Sequence, residues 1–230
     1  MLMKIGGIMN LTLLDYPDKV ACTVFTVGCN FRCPFCHNAK LVCGNGGKQI
    51  TESEVLAFLK KRRGVLEGMC LTGGEPLIQQ GVAEFLRNVK DLGYCVKLDT
   101  NGAFPDKLRE LVENGLVDYV AMDVKNSRER YAQTVGCNVD IKAIEQSIAY
   151  LKSNVVDYEF RTTVTGNLHD AESIAETAEW LSGAKRWYLQ KFVNSGDLID
   201  DATMGCGDDT MRMYLKIAKT IIPNTELRGI

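Results

Sequence analysis

Three cysteines fall within a stretch of eight residues, in the pattern Cys29-x3-Cys33-x2-Cys36. Thiolates are the usual ligands of iron–sulfur clusters, and this spacing places the three sulfur atoms on one short concave turn. They can ligate three corners of a cubane and leave the fourth iron open to a small molecule. The loop therefore favours a [4Fe–4S] cluster with one open iron.

The loop alone leaves other chemistries open. Cys33-Pro34-Phe35-Cys36 also fits a thioredoxin-type C-x-x-C pattern, in which Cys29 would be surplus. With His37 it matches a covalent haem attachment pattern, which usually requires export, or a zinc site of three cysteines and one histidine. Structural zinc sites usually add a distant second cysteine pair, and the sequence contains none.

Other polar residues that could do chemistry follow three apolar segments. Gly73-Gly74-Glu75-Pro76 combines a carboxylate with two glycines, whose missing Cβ atoms would let a ligand approach the backbone. Asp99 follows the next apolar run, and Asp123 and Lys125 follow the one after it. The two aspartates could hold a hard cation, or form an ordinary ion pair with Lys125.

The elements that must position these residues alternate between strands and helices. The predicted strands are 19–27, 65–71, 94–98, 119–124, 158–164 and 186–192, and the predicted helices are 51–62, 82–92, 105–114, 141–152, 171–181 and 209–222. Such alternation predicts a parallel sheet covered by helices. Six units in 230 residues fit an α/β fold with a partial, open (β/α)6 barrel, and a doubly wound sheet is the alternative. In either fold the polar motifs lie at strand carboxyl ends, where sites form.

Composition sets the broad class of the chain. The hydrophobic fraction is 46%, the charged fraction is 24% and the net charge is −2, which are ordinary values for a globular protein. We expect a single domain over residues 1–230, and no basic stripe suggests a nucleic-acid partner. No apolar run of about 20 residues suggests a membrane helix or signal peptide, so we expect a cytoplasmic protein. Nine cysteines in a reducing cytoplasm indicate metal binding or catalysis rather than disulfides.

The motifs together resemble those of a known superfamily. Cys29 to Cys36, with Phe35 at the aromatic position, resembles the cysteine loop of radical S-adenosylmethionine (radical SAM) enzymes, and Gly73 to Pro76 resembles their GGEP motif. The wider text is similar, nearly end to end, to the anaerobic ribonucleoside-triphosphate reductase activating proteins, which are glycyl-radical-enzyme activases. The segments that carry this likeness are 15–17, 25–33, 97–102, 119–125 and 158–163. The sequence departs from that family at Asp18, where glycine is expected, and in 164–169, which lacks a proline.

The resemblance implies roles for the candidate residues. Cys29, Cys33 and Cys36 would bind the cluster, whose open iron is chelated by the methionine amino and carboxylate groups of S-adenosylmethionine. Backbone of Gly73 and Gly74 would run along the methionine end, while Glu75 would brace the turn or meet the ammonium group. Phe35 would lie near the adenine. Asp123 would also bind the cofactor. Asp99 and Lys125 would flank the reaction chamber as catalytic residues.

The resemblance also implies a reaction and partners. One electron, from a donor such as flavodoxin or ferredoxin, would break the S–C5′ bond of S-adenosylmethionine, giving methionine and a 5′-deoxyadenosyl radical. That radical would abstract hydrogen from a backbone glycine of a large glycyl-radical enzyme, with anaerobic ribonucleotide reductase expected. The alternatives are action on another glycyl-radical enzyme or a small metabolite, and a non-catalytic zinc or iron–sulfur module. No nucleic acid or membrane partner is expected.

Overall fold

The computed structural model describes residues 3–43, 49–194, 196, 198–200 and 202–230. Its strands are β1 (Ile5–Thr12), β2 (Ala21–Thr26), β3 (Gly68–Gly73), β4 (Cys95–Thr100), β5 (Tyr119–Asp123), β6 (Asp157–Val164), β7 (Trp187–Lys191) and β8 (Thr225–Arg228). Its helices are α1 (Ala39–Val42), α2 (Glu52–Lys61), α3 (Val82–Asp91), α4 (Pro105–Glu113), α5 (Tyr131–Val135), α6 (Ile141–Lys152), α7 (Ala171–Trp180) and α8 (Asp208–Lys219). A short 3₁₀ turn covers Pro76–Ile78.

The eight strands form one sheet in the order β1 to β8, so that every strand lies beside its neighbour in the chain. β1 pairs with β2 in the antiparallel sense, and the β2–β3, β3–β4, β6–β7 and β7–β8 pairs are parallel. A doubly wound sheet reverses its strand order at a switch point, and this sheet does not. The predicted α/β class with a partial (β/α)6 barrel is confirmed, since six strands from β2 to β7 are each followed by a long helix.

One compact unit comprises Met1–Asn30, Lys40–Thr100 and Asp106–Val120. The pairing register places Val24 beside Leu71 and Leu71 beside Leu98, and all three side chains are buried. Because strand side chains alternate between the two faces, the opposite face of these strands presents Thr23, Cys70 and Lys97. This polar face leads to Thr72 and Asp99, the residues nearest the carboxyl ends of β3 and β4 on that face.

A second compact unit comprises Phe31–Ala39, Asn101–Pro105 and Ala121–Ile230. On one face of β6 and β7, Phe160 lies beside Trp187 and both are fully buried. The opposite face carries Glu159 and Arg161, with Tyr188 of β7 beside Arg161. Each unit therefore has an apolar sheet face and a polar sheet face. The single domain expected from the sequence stays a prediction.

Local sequence explains several element boundaries. Helix α2 begins after a capping box, in which Glu54 N–H donates to Thr51 Oγ1 and Thr51 N–H donates to the Glu54 carboxylate. Strand β3 starts at Gly68 rather than at the predicted Val65, which is exposed in the preceding turn. In the part of the chain that the structure describes, no helix is long and apolar enough to cross a membrane.

Candidate functional site

The cysteine loop begins directly after β2. Cys33 is buried, while Cys29 and Cys36 are partly exposed, and none of the nine cysteines, all of which the structure describes, forms a disulfide. The Cys36 N–H donates to the Cys33 carbonyl at 3.1 Å, which closes a tight turn over the C-x-x-C segment. Three reduced thiols in this spacing are a donor set suited to an iron–sulfur cluster.

The histidine that follows the loop packs against an aromatic side chain. The His37 ring stacks on Phe192, with ring centroids 5.4 Å apart and planes inclined by 26°. Among the described residues, no group of three His, Cys, Asp or Glu side chains is gathered closely enough to hold a single metal ion. The zinc site of three cysteines and His37, which the sequence left open, therefore gains no support.

Helix α5 supports the second half of the cysteine loop. Arg32 N–H donates to the Val135 carbonyl at 2.8 Å, and the Phe31 ring meets the Tyr131 ring edge-on at 6.3 Å. Gly136 ends the helix with φ +67°, and a Cβ there would lie 2.5 Å from the Arg32 carbonyl oxygen. This packing requires glycine at position 136 and holds the loop backbone from Phe31 onward in one conformation.

The two glycines of the GGEP motif pack against the segment that leads into the cysteine loop. A Cβ on Gly73, whose φ is +109°, would lie 2.4 Å from the Thr26 nitrogen, and one on Gly74 would lie 1.9 Å from the Gly28 carbonyl oxygen. Gly74 N–H donates to Thr26 O and Glu75 N–H donates to Gly28 O, each at 2.9 Å. Both positions need glycine because two backbone segments touch there. This requirement holds whether or not a ligand binds.

Glu75 braces the turn that carries the motif. Its carboxylate is completely buried and accepts hydrogen bonds from the Leu77 N–H and the Thr100 hydroxyl, both at 2.9 Å. The side chain thereby caps the 3₁₀ turn and ties it to the end of β4. Of the two roles that the sequence suggested for Glu75, the structure provides the bracing one.

Asp99 is paired with a lysine that sequence reasoning did not select. Lys97 lies two residues earlier on β4, and its buried ammonium group donates to the Asp99 carboxylate. Asp99 also accepts from the Thr72 hydroxyl at 3.2 Å and from the Cys70 thiol at 3.7 Å. The i, i+2 spacing on a strand puts Lys97 and Asp99 on one face, and that signal could have identified the pair.

Asp123 lies between two cations of the second unit. Its carboxylate accepts from Lys125 Nζ and from Arg161 Nε, each at 2.9 Å. Burial alone would raise the pKa of the Asp123 carboxyl, but the charges of Arg161 and Lys125 outweigh it and hold that pKa below its usual range. Burial would lower the pKa of Lys125, yet the Asp123 carboxylate raises it. Both groups are therefore charged at neutral pH, and Lys125 Nζ lies 5.9 Å from the centre of the Phe35 ring.

His169 fixes the backbone beside this pair. Its side chain is buried. The Thr165 N–H donates to Nδ1 at 3.2 Å, so the proton is on Nε2, which lies 2.9 Å from the Lys125 carbonyl and donates to it. Burial lowers the pKa of His169 to about 4, and the ring is neutral near pH 7.

A further ion pair, with a buried carboxylate and a partly exposed guanidinium, lies on the same sheet face as Arg161. The Arg228 guanidinium forms two hydrogen bonds, of 2.8 and 3.0 Å, with the Glu159 carboxylate and lies 3.4 Å over the Tyr188 ring. Sequence reasoning missed both charged residues. Glu159 could have been selected from its alternation with Arg161 on β6, whereas Arg228 lies 69 positions away and gives no local signal.

Comparison with known proteins identifies the arrangement. Residues 23–181 match the family model described as the Radical SAM superfamily. A protein of Methanocaldococcus jannaschii, whose naming as a glycyl-radical enzyme activating enzyme is itself an inference, is 33% identical over 98% of this chain and 96% of its own length. The pyruvate formate-lyase-activating enzyme of Clostridium pasteurianum is 30% identical over 54% of this chain and 52% of its own.

Solved structures agree in fold. A radical SAM methyltransferase of Sphaerobacter thermophilus aligns over 95% of this chain and 68% of its own, with a TM-score of 0.73 at 14% identity. A domain of a pyruvate-formate lyase-activating enzyme from Bacteroides vulgatus aligns over 70% of this chain and 99% of its own, with a TM-score of 0.57 at 18% identity. The chain therefore belongs to the radical SAM superfamily of oxidoreductases, whose cofactors are a [4Fe–4S] cluster and S-adenosylmethionine, and within it to the glycyl-radical enzyme activating enzymes.

Proposed function

We propose that this enzyme generates the glycyl radical of an anaerobic ribonucleoside-triphosphate reductase. The observation that carries the proposal is the near full-length match to a glycyl-radical enzyme activating enzyme. The sequence motifs, which resemble those of the reductase activating proteins, support it. A second glycyl-radical enzyme is the competing partner, and the match to a pyruvate formate-lyase-activating enzyme is what favours it.

The cluster ligands in this proposal are Cys29, Cys33 and Cys36. They are neighbours on one loop, none is in a disulfide, and their thiolates suit iron. When bound, the cluster and S-adenosylmethionine supply an electron and a carbon-centred radical that can remove a hydrogen atom from a glycine. Flavodoxin or ferredoxin is the proposed electron donor, and the cytoplasm, which keeps thiols reduced, is the proposed compartment.

The chain's own residues hold the cofactor and shape the reaction chamber. The polar turn at Gly73, Gly74 and Glu75 provides backbone close to the start of the cysteine loop, where the methionine end of the cofactor would bind. Phe35, which is buried beside Lys125, is the proposed aromatic contact of the adenine. Asp123 stays ionised because Lys125 and Arg161 flank it, so it can accept hydrogen bonds from the cofactor or from the glycine segment without taking up a proton.

Asp99 and Lys125 are the proposed catalytic side chains. Each is held by an opposite charge two residues away in the chain. Asp99 pairs with Lys97, and Lys125 pairs with Asp123. Their orientation is therefore set before a glycine segment arrives, which reduces the ordering needed in the transition state. A simple barrel-mouth ion pair, the other possibility for these residues, would leave activation unchanged on substitution.

The test is electron paramagnetic resonance on an anaerobic mixture of the reconstituted enzyme, a reductant, S-adenosylmethionine and the ribonucleotide reductase of the same organism. We expect a glycyl-radical doublet on the reductase, which is lost in Asp99→Asn and Lys125→Met while the cluster is retained. Formation of 5′-deoxyadenosine without a doublet would exclude this reductase as the partner. A doublet on a pyruvate formate-lyase instead would establish the competing assignment.

A further inference from the structure

The second unit contains a pocket outside the candidate active site. It has a volume of about 320 Å³ and lies between the segment that follows Lys125 and the second half of α7. Its lining residues are Ser127, Arg128, Glu129, Glu176, Glu179 and Trp180. The volume is at the lower end of the range for small-ligand sites and is sufficient for one long side chain.

Negative charge predominates in this pocket. Three carboxylates line it against one guanidinium, and Arg128 is already engaged with Glu145, at 2.7 Å, and with the Trp180 ring, at 4.7 Å. Within the described part of the chain, Glu129, Glu176 and Glu179 take part in no ion pair. Like charges placed around one cavity favour a cationic ligand.

A buried hydroxyl provides the independent sign of a ligand. Ser127 is only 2% exposed, and its Oγ has no hydrogen-bond partner among the described residues. A buried polar atom without a partner is uncommon and costs free energy, so it calls for a group that completes the bond. An N–H donor entering the pocket would supply that bond to Ser127 and bring the positive charge that the carboxylates favour.

The surrounding groups decide between a metal ion and an organic cation. No three metal-ligating side chains of the described residues are gathered closely enough for a metal ion. Trp180, in contrast, forms part of the wall, and aromatic faces attract guanidinium and ammonium groups. Arg128 already shows that the Trp180 ring accepts a guanidinium.

We infer that this pocket binds a lysine or arginine side chain of the polypeptide that the enzyme activates. The inference rests on the proposed function, because it requires a protein substrate. Ser127 lies two residues beyond Lys125, so the pocket and the proposed catalytic lysine share one segment of chain. A basic residue seated here would anchor the substrate protein close to the end of β5 without taking part in the chemistry.

The first experiment measures the site directly in the reconstituted holoenzyme labelled with 5-fluorotryptophan. The chain has two tryptophans, and Trp187 is fully buried and does not line the pocket, so its ¹⁹F resonance is the internal reference. N-acetyl-argininamide should shift the Trp180 resonance saturably, whereas its neutral isostere N-acetyl-citrullinamide should not. Equal responses to both probes, or no response to either, would overturn the inference.

Variants separate the pocket from general surface charge. Glu176→Gln/Glu179→Gln should weaken the N-acetyl-argininamide response at least about tenfold, and Ser127→Ala should weaken it several-fold. Glu172→Gln is the matched control, since Glu172 lies one turn before Glu176 on α7 but pairs with Arg130 and does not line the pocket. An equal loss in Glu172→Gln would show non-specific attraction and overturn the site.

The second experiment measures the role in activation. In the glycyl-radical assay, Glu176→Gln/Glu179→Gln should raise the KM for the reductase about tenfold and leave kcat and the partner-free formation of 5′-deoxyadenosine unchanged. An unchanged KM would overturn the anchoring role. Failure of the proposed function is distinguishable, because the wild-type enzyme would then give no radical on the reductase at all, whatever the probe titration shows.

Discussion

Lys97 is a buried lysine, whereas lysine side chains usually lie at the protein surface. The Lys97 side chain is 1% exposed, and its ammonium group donates to the Asp99 carboxylate. The Thr72 hydroxyl and the Cys70 thiol donate to the same carboxylate. Asp99 is therefore the centre of a preorganised polar group inside the first unit rather than a solvated strand-end residue.

The first prediction concerns this buried pair. Lys97→Met should lower the free energy of unfolding by about 3–5 kcal/mol, because it leaves the Asp99 carboxylate buried without its cation. Lys97→Met/Asp99→Asn should cost less than the sum of the single changes. Urea unfolding under anaerobic, reducing conditions measures both. Lys90→Met is the control, since Lys90 pairs with Asp118 at an exposed site and should cost no more than about 1 kcal/mol. Additive single and double changes would contradict the coupling.

The second prediction concerns the cluster ligands. Anaerobically reconstituted protein should hold about four irons and four sulfides, and Cys29→Ala, Cys33→Ala or Cys36→Ala should each lose the intact cluster. Cys137→Ala and Cys206→Ala should retain it, because neither residue is on the loop. Iron and sulfide analysis with visible absorption measures the outcome. Stoichiometric zinc in protein prepared without oxygen would contradict the assignment.

Some site residues could be read from the sequence, and others could not. The cysteines and the GGEP turn are contiguous, so their pattern is visible along the chain. Lys97 and Asp99 share one strand face, and that spacing was available. The Glu159–Arg228 pair depends on β6 and β8 being joined through β7, and Arg161 reaches Asp123 across 38 positions. Only the folded sheet brings such residues together.

At the scale of elements, periodicity predicted the six strand-then-helix units because each has a strongly apolar core face. The first and last strands were missed for identifiable reasons. β1 contains Gly6 and Gly7 and exposes Met9 and Leu11, so it lacks the pattern of a buried strand. β8 has only four residues, and α5 has five, too few to show a period.

The third prediction concerns the turn that joins β3 to the 3₁₀ segment. Gly74→Ala should lower the free energy of unfolding by about 2–4 kcal/mol, because its Cβ would meet the Gly28 carbonyl at 1.9 Å and force two backbones apart. Weakened cofactor binding in this variant would follow from the shifted backbone. Gly7→Ala is the control, since no atom lies within 4 Å of its added Cβ. Thermal unfolding of both variants measures the difference, and equal stability would contradict the close approach.

At the scale of the molecule, the strands lie in the sheet in the order in which they occur in the chain. Every neighbour in the sheet is also a neighbour in sequence. In the first unit, β2, β3 and β4 pair in parallel, so their carboxyl ends lie at one edge, where the cysteine loop and the GGEP turn begin and where Asp99 lies. The candidate residues of the first unit consequently lie at or just after strand carboxyl ends, while the apolar sheet face supplies the core.

The last prediction concerns the stability of the whole fold against pH. The folded pKa of His169 is about 4, against 6.5 for the ordinary side chain, because burial opposes its charge. Between these values the unfolded chain binds more protons than the folded chain, so the free energy of unfolding falls as pH falls from 6.5 to 4. The loss from His169 is at most about 3 kcal/mol. Burial also lowers the pKa of His37, which adds a loss of the same sign.

Substitution separates the two histidines. His169→Gln removes the titrating group, and its amide can still accept from Thr165 N–H and donate to the Lys125 carbonyl. Its unfolding free energy should therefore vary much less across pH 6.5 to 4 than that of the wild type, whereas His37→Gln should keep most of the dependence. Urea unfolding of cluster-free protein at a series of pH values measures this, since an acid-labile cluster would add its own dependence. A profile for His169→Gln as steep as that of the wild type would mean that His169 is not held neutral in the fold. A charged ring would carry a proton on Nδ1, which could then no longer accept from the Thr165 N–H as it does in the structure.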